Sequence, residues 1–177
     1  MQKLGTVVFA LFLLTAAGVA QVPTAGNVFF GYSLNHGGTG VSSGNLNGWE
    51  ASFEGRVVPH IGMVADFGET YGTFVVPFQF GNFSSSTRVM TYMFGPRVSV
   101  RVGRIRPFAH ILIGAGHLSQ PDVDYAETDF ADAIGGGVDF RLIPMVHWRV
   151  QADDLQTRFN GGRQDNTRIS TGVALHF

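Results

Sequence analysis

Two side chains that could carry out nucleophilic chemistry, His117 and Ser119, are separated by one residue. In an extended strand this spacing places both on one face, where a histidine can deprotonate a serine if a carboxylate orients its ring. Glu127 would have to supply that carboxylate, from a segment crowded with other acids. The spacing of Glu127 from the pair does not support this role, so we expect no enzymatic activity. His117, Ser119 and Glu127 are nevertheless the catalytic candidates that the sequence offers.

The acid-rich segment contains five carboxylates: Asp122, Asp124, Glu127, Asp129 and Asp132. Carboxylate oxygens are the ligands that calcium prefers. The spacing lacks the glycine and the terminal glutamate of an EF-hand loop, so a solvated loop is the favoured interpretation. If calcium bound here, Asp122, Asp124, Glu127 and Asp129 would be its ligands. The histidines show no metal-binding spacing, and we expect no cofactor.

The composition narrows the class of protein. Only 14% of the 177 residues are charged, 12% are aromatic and none is cysteine. The high hydrophobicity excludes intrinsic disorder, and the absence of cysteine excludes a disulfide scaffold and a thiolate zinc site. A formal net charge of −1 gives no basic surface for nucleic acid. The length fits one domain.

The N-terminus has the features of a secretory signal peptide. Lys3 precedes a short apolar run, and the small residues Gly18 and Ala20 fit a cleavage site after Ala20. The run is too short for a membrane-spanning helix, which needs about 20 residues. We therefore predict residues 1–20 as a signal peptide and residues 21–177 as one exported domain.

Strand-like alternation recurs through the exported chain. From Trp49 to Val57, apolar residues alternate with Glu50, Ser52, Glu54 and Arg56, so every charged side chain falls on one face of a strand. The same analysis predicts eight strands, at residues 27–34, 49–57, 61–67, 90–100, 108–116, 133–140, 146–153 and 169–177.

The connections between these segments alternate in length. Three are tight (58–60, 103–106 and 142–144) and four are long (36–48, 69–87, 117–129 and 157–167). All the tight turns therefore lie at one end with both termini, as in a bacterial transmembrane barrel. The prediction is an all-β protein, an eight-stranded antiparallel up-and-down transmembrane β-barrel. Only a closed sheet satisfies every backbone group in a bilayer, where water is absent.

Several short segments carry a resemblance to a known family. They include Gly31-Tyr32-Ser33, Gly48-Trp49-Glu50-Ala51, Val64-Ala65-Asp66-Phe67, Phe94-Gly95-Pro96-Arg97 and the terminal Phe177. As an ordered set they resemble the small outer-membrane β-barrels of the OmpA-like and OmpX-like type. The resemblance implies a monomer in the cell outer membrane, in contact with outer-membrane lipid and lipopolysaccharide. It also implies that Phe177 is the signal read by the barrel assembly machinery.

Charged and polar side chains are predicted to face the narrow interior: Glu50, Glu54, Arg56, Asp66, Arg97, Arg101, His110, Asp139, Arg149, Gln151 and Asp153. Enclosed charges must be paired, because an isolated buried charge costs several kcal/mol. We therefore expect a lumen plugged by charged side chains, in a protein that serves membrane integrity or surface adhesion.

Three other functions stay open at this stage. A rearrangement of the interior charges would give a narrow or gated channel for small solutes. The His117-Leu118-Ser119 segment is also similar to the His-x-Ser of outer-membrane lipid A deacylases. A soluble lipocalin-like binder would need an apolar interior, which the alternation does not predict.

Some positions conflict with the simple pattern. Pro96 lies inside the fourth predicted strand and cannot donate a ladder hydrogen bond, so we expect a bulge or a displaced register there. Asp154 falls on the outer face, where an aromatic residue is expected. The second long connection is rich in apolar residues between Tyr71 and Phe83. These residues would lengthen the strands, cover the lumen mouth or bind an extracellular surface.

Overall fold

The computed structural model describes residues 25–38, 43–78, 81–120, 125–158, 162 and 164–177. The predicted signal peptide and its cleavage site at Ala20 lie outside these residues. Eight strands follow in chain order: β1 (Gly26–Gly38), β2 (Ser43–Val58), β3 (Ile61–Phe78), β4 (Gly81–Ser99), β5 (Ile105–Gln120), β6 (Tyr125–Ile143), β7 (Val146–Thr157) and β8 (Gln164–His176). None of the described residues forms a helix with the length and hydrophobicity of a membrane span.

The strands form a closed antiparallel barrel in sequence order. Each strand pairs with the next, and β8 returns to pair with β1 from Asn27↔His176 to Gly37↔Asn166. The predicted fold class is confirmed. Three short turns, the start of β1 and the end of β8 lie at one end of the barrel, which we call the turn end. We call the opposite end the loop end.

The strands extend further toward the loop end than predicted. β3 and β4 pair continuously from Ile61↔Val98 to Phe78↔Gly81. The predicted long connection 69–87 is therefore mostly a two-stranded ribbon, and the prediction of four long loops was wrong in this respect. Of the three explanations for its apolar residues, strand extension is the one that the backbone supports.

The register around Pro96 also differs from the prediction. Pro96 pairs with Met63 in an unshifted β3–β4 ladder. The β4–β5 ladder is interrupted between Phe94↔Ile113 and Arg97↔His110 and resumes in the same register. The missing N–H of proline therefore interrupts the ladder locally without a bulge.

Register shifts occur instead at two turns of similar sequence. Arg56-Val-Val-Pro-His60 closes β2–β3 and Arg141-Leu-Ile-Pro-Met145 closes β6–β7, and in each the shift follows the arginine by one residue. In both turns proline precedes a residue with positive φ, 74° at His60 and 72° at Met145. This is the residue order of a type II turn, in which proline presets the first central φ.

The two faces of the barrel differ sharply. Facing outward, each strand carries an apolar run that ends toward the loop end at a polar residue: His36, Asn47, Glu69, Arg88, His117, Asp132, Asp154 and Thr167. No charged side chain points outward below this ring among the described strands. Asp154 lies on the outer face, as the alternation predicted.

Small inward residues allow the strands to approach one another. Gly31 and Gly172 face each other across the β1–β8 seam, and a Cβ at Gly172 would lie 2.3 Å from the carbonyl oxygen of Phe30. Gly135 and Gly137 on β6 likewise leave room for Asp153 and Gln151 of β7. These close approaches keep the interior narrow, as expected for eight strands.

Candidate functional site

Nine arginine and carboxylate side chains are buried in the barrel interior. The cations are Arg97, Arg106, Arg149 and Arg168, and the anions are Glu50, Glu54, Asp66, Asp139 and Asp153. We call these nine side chains, together with the neutral side chains that hydrogen-bond to them, the lumen network. Its arginines are at most 6% exposed, so water cannot compensate for a missing partner.

The strongest pair of the network lies toward the turn end. Arg149 donates from Nε and Nη2 to the two oxygens of Asp139, at 2.6 and 2.9 Å. Arg149 Nη2 also donates to Asn27 Oδ1 at 2.9 Å, and Asn27 Nδ2 donates to Glu54 Oε2 at 2.6 Å. A two-pronged arginine–carboxylate contact fixes orientation as well as charge. The chain of contacts thus crosses the lumen from β6 to β2.

Arg106 and His176 close this chain into a ring. Arg106 Nη2 donates to Glu54 Oε1 at 2.8 Å, and its Nη1 lies 3.1 Å from His176 Nδ1. His176 Nε2 lies 3.0 Å from Asp139 Oδ2. Six strands contribute to this ring, so it ties together opposite walls of the barrel.

A second centre forms around Arg168. Its guanidinium donates to Asp153 Oδ2 at 2.7 and 2.9 Å and to Asp66 Oδ1 at 2.9 Å. Glu50 Oε2 lies 3.5 Å from Arg168 Nε and also accepts from Ser170. Gln151 donates to the other oxygen of Glu50. One cation therefore holds three carboxylates from β2, β3 and β7.

Two histidines each bridge an arginine to an aspartate. Arg97 Nη2 lies 3.1 Å from His110 Nδ1, and His110 Nε2 lies 2.7 Å from Asp153 Oδ1. Since arginine can only donate, Nδ1 must accept and Nε2 must carry the proton. The partners of His176 assign the same neutral tautomer. His110 thereby joins the Arg168 centre to Arg97, which also contacts Glu54.

Aromatic and aliphatic groups fill the space that the charges leave. The guanidinium carbon of Arg149 lies 5.0 Å from the Phe29 ring centre and 4.7 Å from that of Phe108. Arg97 stacks on Phe108 at 4.3 Å. These cation–π contacts stabilise desolvated guanidinium groups. A separate apolar cluster lines strands β3 to β7: Val64, Met93, Leu112, Ala133 and Leu155.

The structure places most of the predicted lumen residues in the interior, and two predictions were wrong. Glu50, Glu54, Asp66, Arg97, His110, Asp139, Arg149, Gln151 and Asp153 are all buried. Arg56 and Arg101 are exposed at the turn end and form no ion pair within the described residues. They lie where β2 and β4 leave the barrel, so their long side chains reach water. Arg106 and Arg168 hold the interior positions instead.

The alternation of side chains along β5 and β6 places the catalytic candidates on opposite faces of the barrel wall. Glu127 pairs with Leu118, so its side chain points inward while His117 and Ser119 point outward. His117 Nδ1 instead lies 2.7 Å from Thr128 Oγ1. No nucleophile–base–acid arrangement exists at these residues.

The residues that would be calcium ligands are not brought together among those that the structure describes. Asp122 and Asp124 lie outside those residues. Glu127 and Asp129 face inward, and the Glu127 carboxylate accepts a hydrogen bond from Tyr125 at 2.5 Å, whereas Asp132 faces outward. In the described ranges no group of three histidines or carboxylates could hold a metal ion.

Comparison with known proteins identifies the fold. Neisserial surface protein A matches with a TM-score of 0.71 and 12% identity, over 86% of this chain and 99% of that chain. Ail, the attachment invasion locus protein of Yersinia pestis, matches with a TM-score of 0.57 and 13% identity, over 85% and 98%. This chain has the fold of the eight-stranded outer-membrane barrels.

A further barrel shares this fold at similarly low identity. The N-terminal β-barrel domain of Pseudomonas aeruginosa OprF matches with a TM-score of 0.54 and 11% identity, over 86% of this chain and 99% of that domain. No family model and no curated protein matches the chain. The comparisons therefore give the architecture, and the role of the lumen must be argued from its own contacts.

Removing one partner from the lumen network should destabilise the barrel strongly. Asp139→Asn leaves Arg149 buried without its carboxylate, which should lower the free energy of unfolding by about 3–5 kcal/mol. Asp154→Asn is the matched control on the exposed outer face and should change it by less than about 0.5 kcal/mol. Urea unfolding of the refolded protein measures both, and equal small effects would contradict the network's structural role.

Proposed function

We propose that this protein is an integral outer-membrane barrel whose lumen is closed by the lumen network, and that it serves membrane integrity or adhesion at the cell surface. The observation that carries the proposal is the combination of an apolar exterior with a charged interior in which each buried arginine contacts a carboxylate. A soluble ligand-binding barrel would show the reverse distribution, because water would solvate its exterior and its ligand would occupy an apolar interior.

The outer face has the dimensions that a bilayer requires. Along β8 and the Phe177 that follows it, the outward side chains from Ile169 to Phe177 carry no charge. At about 3.3 Å per residue and a tilt near 45°, this segment covers roughly 20 Å of the membrane normal, close to the ~25 Å apolar band of such barrels. The polar ring at the loop end then lies at the level of the lipid headgroups.

Aromatic residues border this apolar band at both edges. Trp49 stacks on Phe30, with ring centres 6.2 Å apart, toward the loop end. Toward the turn end, Trp148 packs against Phe140 at 5.5 Å and Phe177 against Phe53 at 6.3 Å. Aromatic girdles mark the two interfaces in transmembrane barrels. The exposed Phe177 is also available as the assembly signal, and lipopolysaccharide would surround the loop end.

The structural neighbours support the choice of a surface role. One of them is described as a surface protein and another as an attachment protein solved with a heparin analogue. In this chain the β3–β4 ribbon, from Tyr71 to Phe83, extends beyond the polar ring. Such a projection is the part best placed to contact another surface.

A charge placed in the middle of the band should report whether the band faces lipid. Val173→Arg should lower the free energy of unfolding in phosphatidylcholine vesicles by about 2–4 kcal/mol, whereas Thr167→Arg, in the polar ring, should cost about 0–1 kcal/mol. Denaturant titration of the two variants and wild type makes the comparison. If Val173→Arg costs no more than Thr167→Arg, the exterior faces water and the membrane assignment fails.

A closed lumen predicts that the protein does not conduct ions. The folded protein should produce no discrete current steps in planar lipid bilayers, because paired arginines and carboxylates occupy the whole cross-section. Reproducible unitary currents that depend on the folded form would contradict the closed lumen and favour the alternative, a gated small-solute channel.

A further inference from the structure

The charges outside the lumen network are segregated between the two ends of the barrel. Four exposed arginines lie at the turn end: Arg56, Arg101, Arg104 and Arg141. The described carboxylates that do not belong to the network lie toward the loop end: Glu69, Glu127, Asp129, Asp132, Asp154 and Asp165. Outside the lumen network, the turn end therefore carries four arginines and no carboxylate side chain among the described residues.

These arginines surround connected clefts. Arg56, Arg101 and Arg106 line a cleft of about 260 Å³, and Arg101 and Arg141 line a second of about 410 Å³. Arg104 and Arg141 line a third, of about 340 Å³. Arg101 lines both the first and the second cleft, and Arg141 lines both the second and the third. These shared side chains connect the three clefts, which we together call the arginine basin.

A buried polar group without a partner lines one of these clefts. His147 lines the second cleft, although its side chain is only 5% exposed. Its Nδ1 has no hydrogen-bond partner among the described residues, and its ring packs at 89° against His176, 3.9 Å away. Buried polar atoms are normally paired. Several atoms of the lumen also lack a partner, but Nδ1 of His147 belongs to a side chain that lines a positive cleft, where a bound ligand would supply the missing partner.

The basin is held by rigid turns. Arg56 and Arg141 occupy the same position in the two turns of similar sequence, immediately before the register shift. The proline and the positive-φ residue that follow fix the backbone of each turn. Arg56 and Arg141 are therefore anchored at defined points around the mouth.

We propose that the arginine basin binds a ligand carrying two or more phosphate groups. A guanidinium group binds two phosphate oxygens through two parallel hydrogen bonds. Four arginines that form no ion pair with the residues that the structure describes therefore suit several phosphates better than one. The ligand is either a soluble polyphosphorylated molecule that enters along the barrel axis or the headgroups of anionic phospholipid at the rim. The existence of the site does not depend on the proposed function. Only its orientation does, because in an outer-membrane barrel the turn end opens to the periplasm.

Calorimetric titration with inositol hexakisphosphate tests the site, using protein folded in dodecyl maltoside, a phosphate-free detergent. The double variant Arg101→Gln/Arg141→Gln should bind at least about tenfold more weakly than wild type. The control Arg88→Gln/Arg158→Gln removes two exposed arginines from the loop end and should leave the affinity unchanged. Heat-modifiable gel mobility verifies that each variant is folded.

Three results would overturn the proposal: no saturable binding to wild type, equal weakening in the two double variants, or inorganic phosphate binding as tightly as the hexakisphosphate. Repeating the titration in nanodiscs separates the two sources. If phosphatidylglycerol lowers the affinity of wild type for the probe by a larger factor than that of the Arg101→Gln/Arg141→Gln variant, lipid headgroups occupy the basin and are its ligand. If it has no effect while the arginine variants still lose affinity, the ligand is soluble.

Discussion

The pairing of β1 with β8 is the interaction on which the rest of the structure depends. It removes the two free edges of the sheet, so that every strand has a neighbour on both sides. Closure at eight strands also makes the interior too narrow for bulk water. The division into an apolar exterior and a paired, charged interior follows from that geometry, because the exterior can meet lipid while the interior must satisfy its own polar groups.

The interior charges contribute more to selecting one register of the strands than to the free energy of unfolding. Desolvating ions is costly, and a buried ion pair often contributes no more than a well-packed apolar pair. The contacts join residues far apart in the sequence, such as Arg168 with Asp66 and Arg149 with Asn27. They can form only when all the strands have the correct register. The neutral histidines complete this specification, since each accepts from an arginine and donates to an aspartate.

Alternation and connection length were sufficient to predict the closed eight-stranded barrel and all five interior carboxylates. The errors lie at strand ends. Arg106 and Arg168 were missed because they fall one or two residues outside the predicted strands, although extending the alternation from Phe108 and Ser170 places both inward. The pairing partners could not be predicted, because they depend on the register at closure. The extension of β3 and β4 was underestimated for the related reason that a ribbon and a long loop share a similar composition.

The central claim is that the lumen is closed by desolvated, paired arginines. Solvent exchange of the arginine Nε–H protons in lipid nanodiscs, measured by NMR, tests it most directly. Arg149 and Arg168 donate from Nε to buried carboxylates, whereas Arg101 and Arg141 are exposed. The account predicts that the Nε–H protons of Arg149 and Arg168 exchange far more slowly than those of Arg101 and Arg141. Equal, rapid exchange at all four would show a water-filled lumen and would contradict it.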